Sequence, residues 1–233
     1  MARRVMQGLL PAATPTIDGF DIATFHEWSK EVGGDYYDFI PLGNERWGLV
    51  IADVEGNGMA AALLVSAIRA SLISLAGLEL ALRAIFRRAN RFFCHSTQNG
   101  RYVTVFYAVL DVPQRRLIYV NAGHLPAILV RSDGTVERLE EGGLPLGLFE
   151  DPRYYEGFAR LEAGDALVLY TDGITEAVDA SGEPYGLDRL CQTLQNARAG
   201  AASAICNAVV DEVRSFAGDR TVDDETLVVL KAT

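Results

Sequence analysis

Six runs in this chain are apolar at odd and even positions alike: WGLVIADV, TVFYAVLDV, LIYVNAG, PAILV, ALVLY and TLVVL. A strand with one wet face alternates polar and apolar, so runs that ignore parity predict strands covered on both faces. VLDVPQRRLIYV and AILVRSDGTVERL each set a turn signal between two such runs, which predicts hairpins and antiparallel pairing. FDIATFHEW predicts an earlier strand. Helical periodicity occupies two blocks, residues 57 to about 96 and about 186 to 217. The first block is expected to break near Gly77, because an interior glycine costs a helix roughly 1 kcal/mol against alanine. Leu64, Ile68, Leu72 and Leu75 share one face of its first helix, the face predicted to meet a core. Strands grouped between helical pairs, without strict strand–helix alternation, predict an α+β fold with helices packed outside a β core.

No repeat or low-complexity linker divides the chain, so one domain is expected from about residue 8 to residue 233, with residues 1–7 as a connector or helix end. The sequence has 233 residues, 49% hydrophobic and 22% charged, the composition of an ordinary globule. Its net charge of −10 argues against nucleic-acid binding, which needs clustered Lys and Arg. Three cysteines without paired spacing, Cys94, Cys191 and Cys206, predict reduced thiols and a cytoplasmic setting. MARRVMQGLLPAATP lacks the apolar core of a signal peptide. Residues 59–82 have the length of a membrane span but carry Arg69, Glu79 and Gly77, so a buried helix pair and no membrane span are expected.

The chemistry is carried by acids at strand ends. Asp53 follows WGLVIA and Asp172 follows ALVLYT, each running into a glycine-containing turn, where rigid elements present side chains to a pocket. Asp223 and Asp224 stand just before the last strand, and Asp35 sits in EVGGDYYDFI beside two glycines. Singly, each reads as a turn former or cap. Four such acids converging would repel by about 4 kcal/mol per pair at ~4 Å and an effective dielectric near 20, so a cluster of them requires cations. Oxygen-only ligands suit Mg²⁺ or Mn²⁺. Bare backbone at Gly33 and Gly34 lets the chain approach such ions closely.

LLP, EVGGDYYDF, IADVEGNGMAAALL, YVTVFYAVLD, LIYVNAGHLP, GLPLGL, LVLYTDGITEA and DDETLVVL occur in this order. Together they resemble the metal-dependent protein phosphatases (PPM, the 2C-like class), in particular their bacterial SpoIIE/RsbU-type branch. The resemblance spans nearly the whole chain. It implies a four-layer α-β-β-α sandwich, two antiparallel sheets flanked by helix pairs, and two Mn²⁺ or Mg²⁺ ions. It implies Asp35 and Asp53 as bridging acids, the carbonyl of Val54 as a further ligand, and Asp172 with Asp223, or its neighbour Asp224, completing the set. It implies hydrolysis of phosphoserine or phosphothreonine on a signalling protein of the anti-sigma-factor antagonist type, with an upstream sensor domain and a homodimer compatible with the class.

Two positions depart from the branch, where Glu55 and Asn57 replace its usual Ser and Lys. Glu55 could act as general acid to the leaving serine oxygen, or be a solvated loop residue. Gly56, Asn57 and Gly58 could present amides to phosphate at a helix start. A second reading keeps the fold as an inactive module that binds a regulatory partner. Arg83, Arg87 and Arg91, with Arg88, predict a solvated helix face that could dock an acidic partner. His26, His95 and His124 read as hydrogen-bonded structural residues, and Tyr36 and Tyr37 as packing groups on either side of their strand.

Overall fold

A computed structural model describes residues 2–56, 58–76, 81–96, 101–218 and 223–233. The elements begin with α1 (Ala2–Gln7), β1 (Phe20–Glu27), β2 (Tyr36–Gly43), β3 (Arg46–Val54), α2 (Gly58–Ala76) and α3 (Leu82–Ser96). Then come β4 (Val103–Asp111), β5 (Arg116–Ala122), β6 (Ala127–Val130), β7 (Val136–Leu139), β8 (Gly142–Gly143) and β9 (Gly157–Arg160). The chain continues with β10 (Ala166–Tyr170), α4 (Asp172–Thr175), α5 (Gly186–Ala197), α6 (Ala202–Ala217) and β11 (Glu225–Ala232). Both predicted hairpins form, β4 with β5 and β6 with β7. Each helical block is a pair; the expected break at Gly77 lies outside the described residues. The chain divides into two compact units that interleave in sequence.

The first unit comprises Met1–Ala12, Lys30–Pro126 and Glu140–Arg160. Its sheet runs β2-β3-β4-β5-β8, with β9 also paired to β5. All pairings are antiparallel except the two-residue β5–β8 ladder. In β3, Leu49, Val50, Ile51 and Ala52 are at most 1% exposed, as an apolar run of both parities requires. α2 lies against β2 and β3, and α3 against β5. The core face of α2 differs from the expected one. Ala61, Val65, Ile68 and Leu72 are buried, whereas Leu64 and Leu75 are half-buried. The spacing 61, 65, 68, 72 is an equally good helical stripe, and its small first member allows close approach to the sheet. Met59 and Leu63 are exposed, and by length and composition α2 is apolar enough to cross a membrane.

A buried polar group fastens α2 to β2. Asp38 accepts hydrogen bonds from the Tyr36 hydroxyl at 2.7 Å and the Phe39 amide at 2.8 Å, and pairs with Arg69 Nε of α2 at 3.3 Å. Tyr36 and Tyr37 are both buried. Along α3, Leu82, Ile85, Phe86, Ala89, Asn90 and Phe93 face inward, leaving Arg83, Arg87, Arg88 and Arg91 exposed as predicted.

The second unit comprises Ala13–Ser29, Ala127–Leu139 and Leu161–Thr233. Its antiparallel sheet runs β1-β11-β10-β6-β7, and the interior strand β11 is buried along all eight residues. α6 packs on β1 and β11, and α5 on α6 and β6. The first amide of α6, that of Ala202, donates to Asp21 Oδ2 of β1 at 2.8 Å, a carboxylate at the positive end of the helix dipole.

Candidate metal centre

In the first unit, strand register brings two of the predicted acids together. Tyr36 pairs with Ala52 and Tyr37 with Ile51. The Val54 amide donates to the Gly34 carbonyl at 3.2 Å, so the same register continues past the last ladder pair and sets Asp35 opposite Asp53. Directly opposed residues of an antiparallel pair point to the same face with Cβ atoms about 5 Å apart. Asp35 is 2% exposed and Asp53 half-buried, so their charges sit together in a partly dry place.

Gly34 explains why this stretch needs bare backbone. A Cβ there would lie 2.6 Å from the Val54 carbonyl oxygen, 3.2 Å from Asp53 Oδ1 and 3.4 Å from the Gly56 carbonyl oxygen. The missing side chain thus lets the Gly34 backbone pack against the end of β3 and the loop after it, close beside the Asp53 carboxylate. The Asp53 main chain is itself anchored, its carbonyl accepting from Thr104 Oγ1 at 3.3 Å, with Thr104 Oγ1 in turn 2.9 Å from His124 Nδ1. His124 is buried, its amide donates to Asn121 Oδ1 at 2.8 Å, and it is structural as expected. The Glu55 amide donates to the Tyr102 carbonyl at 3.1 Å and its side chain is exposed. Gly56 closes the turn, Gly58 opens α2, and Asn57 lies outside the described residues.

The second unit repeats the arrangement with other means. β10 pairs with β11, and the Thr171 amide donating to the Thr226 carbonyl at 3.1 Å extends that register toward Asp172. Gly173 packs directly on the Asp224 main chain, where a Cβ would meet the carbonyl oxygen at 2.2 Å. Asp172 opens the single-turn α4, and burial, followed by the negative charge of Asp223 and that of Glu176, raises its carboxyl above the ordinary range.

Asp223 and Asp224 play different parts. Asp224 is buried, and its Oδ1 accepts the Ser29 amide at 2.9 Å and the Ser29 hydroxyl at 3.0 Å. Asp223 is exposed, and its Oδ1 accepts the Asp224 amide at 2.8 Å. His26, beside them on β1, bonds Thr226 Oγ1 at 2.9 Å, and burial, opposed by Asp224, pushes its imidazole down to about 4. Among the described residues no group of three or more His, Cys, Asp or Glu side chains is gathered to hold a metal ion.

Ser29 and Thr104 escape sequence reading. Each acquires its role from pairing across 195 and 51 positions respectively, and neither carries a local signal.

A family model of stage II sporulation protein E, SpoIIE, matches residues 43–233. The phosphoserine phosphatase RsbU of Bacillus subtilis is 30% identical over 234 residues, covering 99% of this chain and 69% of RsbU. Of other curated relatives the chain spans less than half. Among solved structures, the SiaA PP2C domain of Pseudomonas aeruginosa superimposes with a TM-score of 0.86 at 20% identity, over 99% of this chain and 94% of that one. The catalytic domain of the serine/threonine protein phosphatase PstP, solved with two manganese ions, gives 0.66 at 17% identity over 91% and 97%. The fold is therefore that of PP2C phosphatase domains, the architecture that the resemblance implied. The chain belongs to the SpoIIE family.

Proposed function

We propose that this phosphatase domain hydrolyses phosphoserine or phosphothreonine on a partner protein, of the anti-sigma-factor antagonist type, with divalent Mn²⁺ or Mg²⁺ as cofactor. The observation that carries the reading is the gathering of acids at strand ends in each unit, Asp35 opposite Asp53 in the first and Asp172 close to Asp223 in the second. In this reading the metal ligands are Asp35, Asp53, the Val54 carbonyl, Asp172 and Asp223. Asp223 is preferred to Asp224 because the Asp224 carboxylate is already committed to Ser29.

Bound divalent ions supply a water of lowered pKa and offset the charge of the phosphoryl group. The chain's own residues fix where that happens. Strand pairing holds Asp35 and Asp53 at one spacing, and Thr104 fixes the Asp53 main chain so that its carboxylate needs little reorganisation. The burial and like charge that penalise an ionised Asp172 are relieved when a cation arrives. In this reading Glu55, whose side chain is exposed, is the candidate general acid to a departing serine oxygen.

The test is Mn²⁺-dependent release of phosphate from a phosphoserine peptide, with Asp172→Asn as the control. Metal-dependent turnover that this substitution abolishes is expected. The absence of metal-dependent turnover on any phosphoserine substrate would instead leave a module that binds a partner without chemistry.

A further inference from the structure

Arg101 stands just ahead of β4, where that strand begins to pair with the end of β3. The bond from the Glu55 amide to the Tyr102 carbonyl draws this segment along the loop between Asp53 and α2. A Cβ built on Gly56, whose φ is +98°, would lie 3.1 Å from Arg101 Nη1 and 3.7 Å from its Cζ. The guanidinium thus rests against the loop's glycine. Arg101 is half-buried, and among the described residues its Nη1 has no hydrogen-bond partner and no salt bridge neutralises the side chain.

Charge makes this position unusual. Between Glu31 and Ile68 the chain has Asp35, Asp38, Glu45, Asp53 and Glu55, and Arg46 is its sole Lys, Arg or His; Arg69, just beyond, is paired with Asp38. Arg46 opens β3 opposite Asp111, whereas Asp53 pairs with Thr104 seven residues further on, about 23 Å away at 3.3 Å per residue. A phosphate dianion brought to Asp35 and Asp53 therefore meets carboxylates from its own unit, with Arg101 as the unpaired cation beside their loop among the described residues. A guanidinium presents a planar fork of donors that matches phosphate oxygens two at a time.

We propose that Arg101 is the residue that binds the phosphoryl oxygens of the substrate, with Gly56 kept bare to seat it. The proposal rests on the phosphatase reading above. Its ligand is a phosphate monoester dianion, or the inorganic phosphate that hydrolysis releases.

The test compares wild type, Arg101→Ala and Arg101→Lys in the full chain, with three readouts. Mn²⁺ affinity is measured by calorimetry, inorganic phosphate binding by its shift of Tm in the presence of Mn²⁺, and KM and kcat on a phosphoserine peptide. Loss of a charge-assisted contact predicts that Arg101→Ala weakens phosphate binding and raises KM by about tenfold to a hundredfold, with Mn²⁺ affinity unchanged and partial recovery in Arg101→Lys. Phosphate binding in Arg101→Ala within twofold of wild type overturns the proposal. So does a parallel loss of Mn²⁺ affinity, which would make Arg101 a prop for the loop. A wild type that binds phosphate through Arg101 but turns over no substrate sinks the proposed function and leaves this assignment standing.

Discussion

Each unit brings acids together at its strand ends, but by different means. In the first, both acids belong to neighbouring strands in register, and strand ladders and a threonine hold their backbones. In the second, Asp172 starts a one-turn helix and its neighbour Asp223 lies exposed before a strand. The contrast separates geometry from charge. The first pair is positioned by main-chain hydrogen bonds that exist whatever the side chains carry, whereas the second is poised by repulsion and burial that a cation relieves.

That contrast can be broken most forcibly at its centre. Asp53→Asn should lower Mn²⁺-dependent turnover on the order of 10³-fold, because several kcal/mol of charge stabilisation leave the transition state. Asp172→Asn should lose activity comparably yet raise the Tm measured in EDTA at pH 7, since it removes a half-buried charge that faces Asp223. An unchanged or lower Tm for Asp172→Asn would erase the distinction between the units.

Gly34→Ala sharpens the geometric half. Its Cβ would press the Val54 carbonyl oxygen at 2.6 Å, a main-chain atom that cannot swing aside. Overpacking of this kind costs about 1–3 kcal/mol, so both Tm and Mn²⁺ affinity should fall, and wild-type values in both would show that the strand ends yield. The adjacent aspartates should part ways as well. Asp224→Ala strands the Ser29 amide and should cost about 1–3 kcal/mol in urea unfolding, while Asp223→Asn should leave unfolding alone and weaken Mn²⁺ binding. Reversed outcomes would exchange their roles.

The smallest effect concerns acid. His26 takes its proton near pH 6.5 when unfolded but only near pH 4 when folded, so acidification through that window favours the unfolded chain. Allowing for its partial exposure, the loss is on the order of 1 kcal/mol. His26→Asn should flatten the stability profile between those limits. A profile that keeps its slope there would place the acid-sensitive group elsewhere.

Much of the fold is legible in the sequence because strands covered on both faces leave unmistakable apolar runs, and ALVLY coincides with β10. β8 and β9 are not legible, since GG and GFAR are too short and too mixed to carry a pattern. The face of α2 is legible only in part, with Ile68 and Leu72 buried as expected but Leu64 and Leu75 half-buried, because a nearly all-apolar helix offers several overlapping stripes and the sheet beneath decides among them. The acids were visible at strand ends, but adjacent Asp223 and Asp224 are chemically identical in a string of letters. A serine almost two hundred residues away distinguishes them.

The position of β11 bears on how this molecule comes into being. It fills the slot between β1 and β10, so the earliest strand of that sheet has no neighbour on that side until the latest one has been synthesised. During translation the second sheet therefore waits as two separated pieces, and Asp223 and Asp224 reach Asp172 only as the slot closes. Catalytic competence is thus timed by the synthesis of β11, and a nascent or clipped molecule short of Glu225 is expected to be silent toward its substrate.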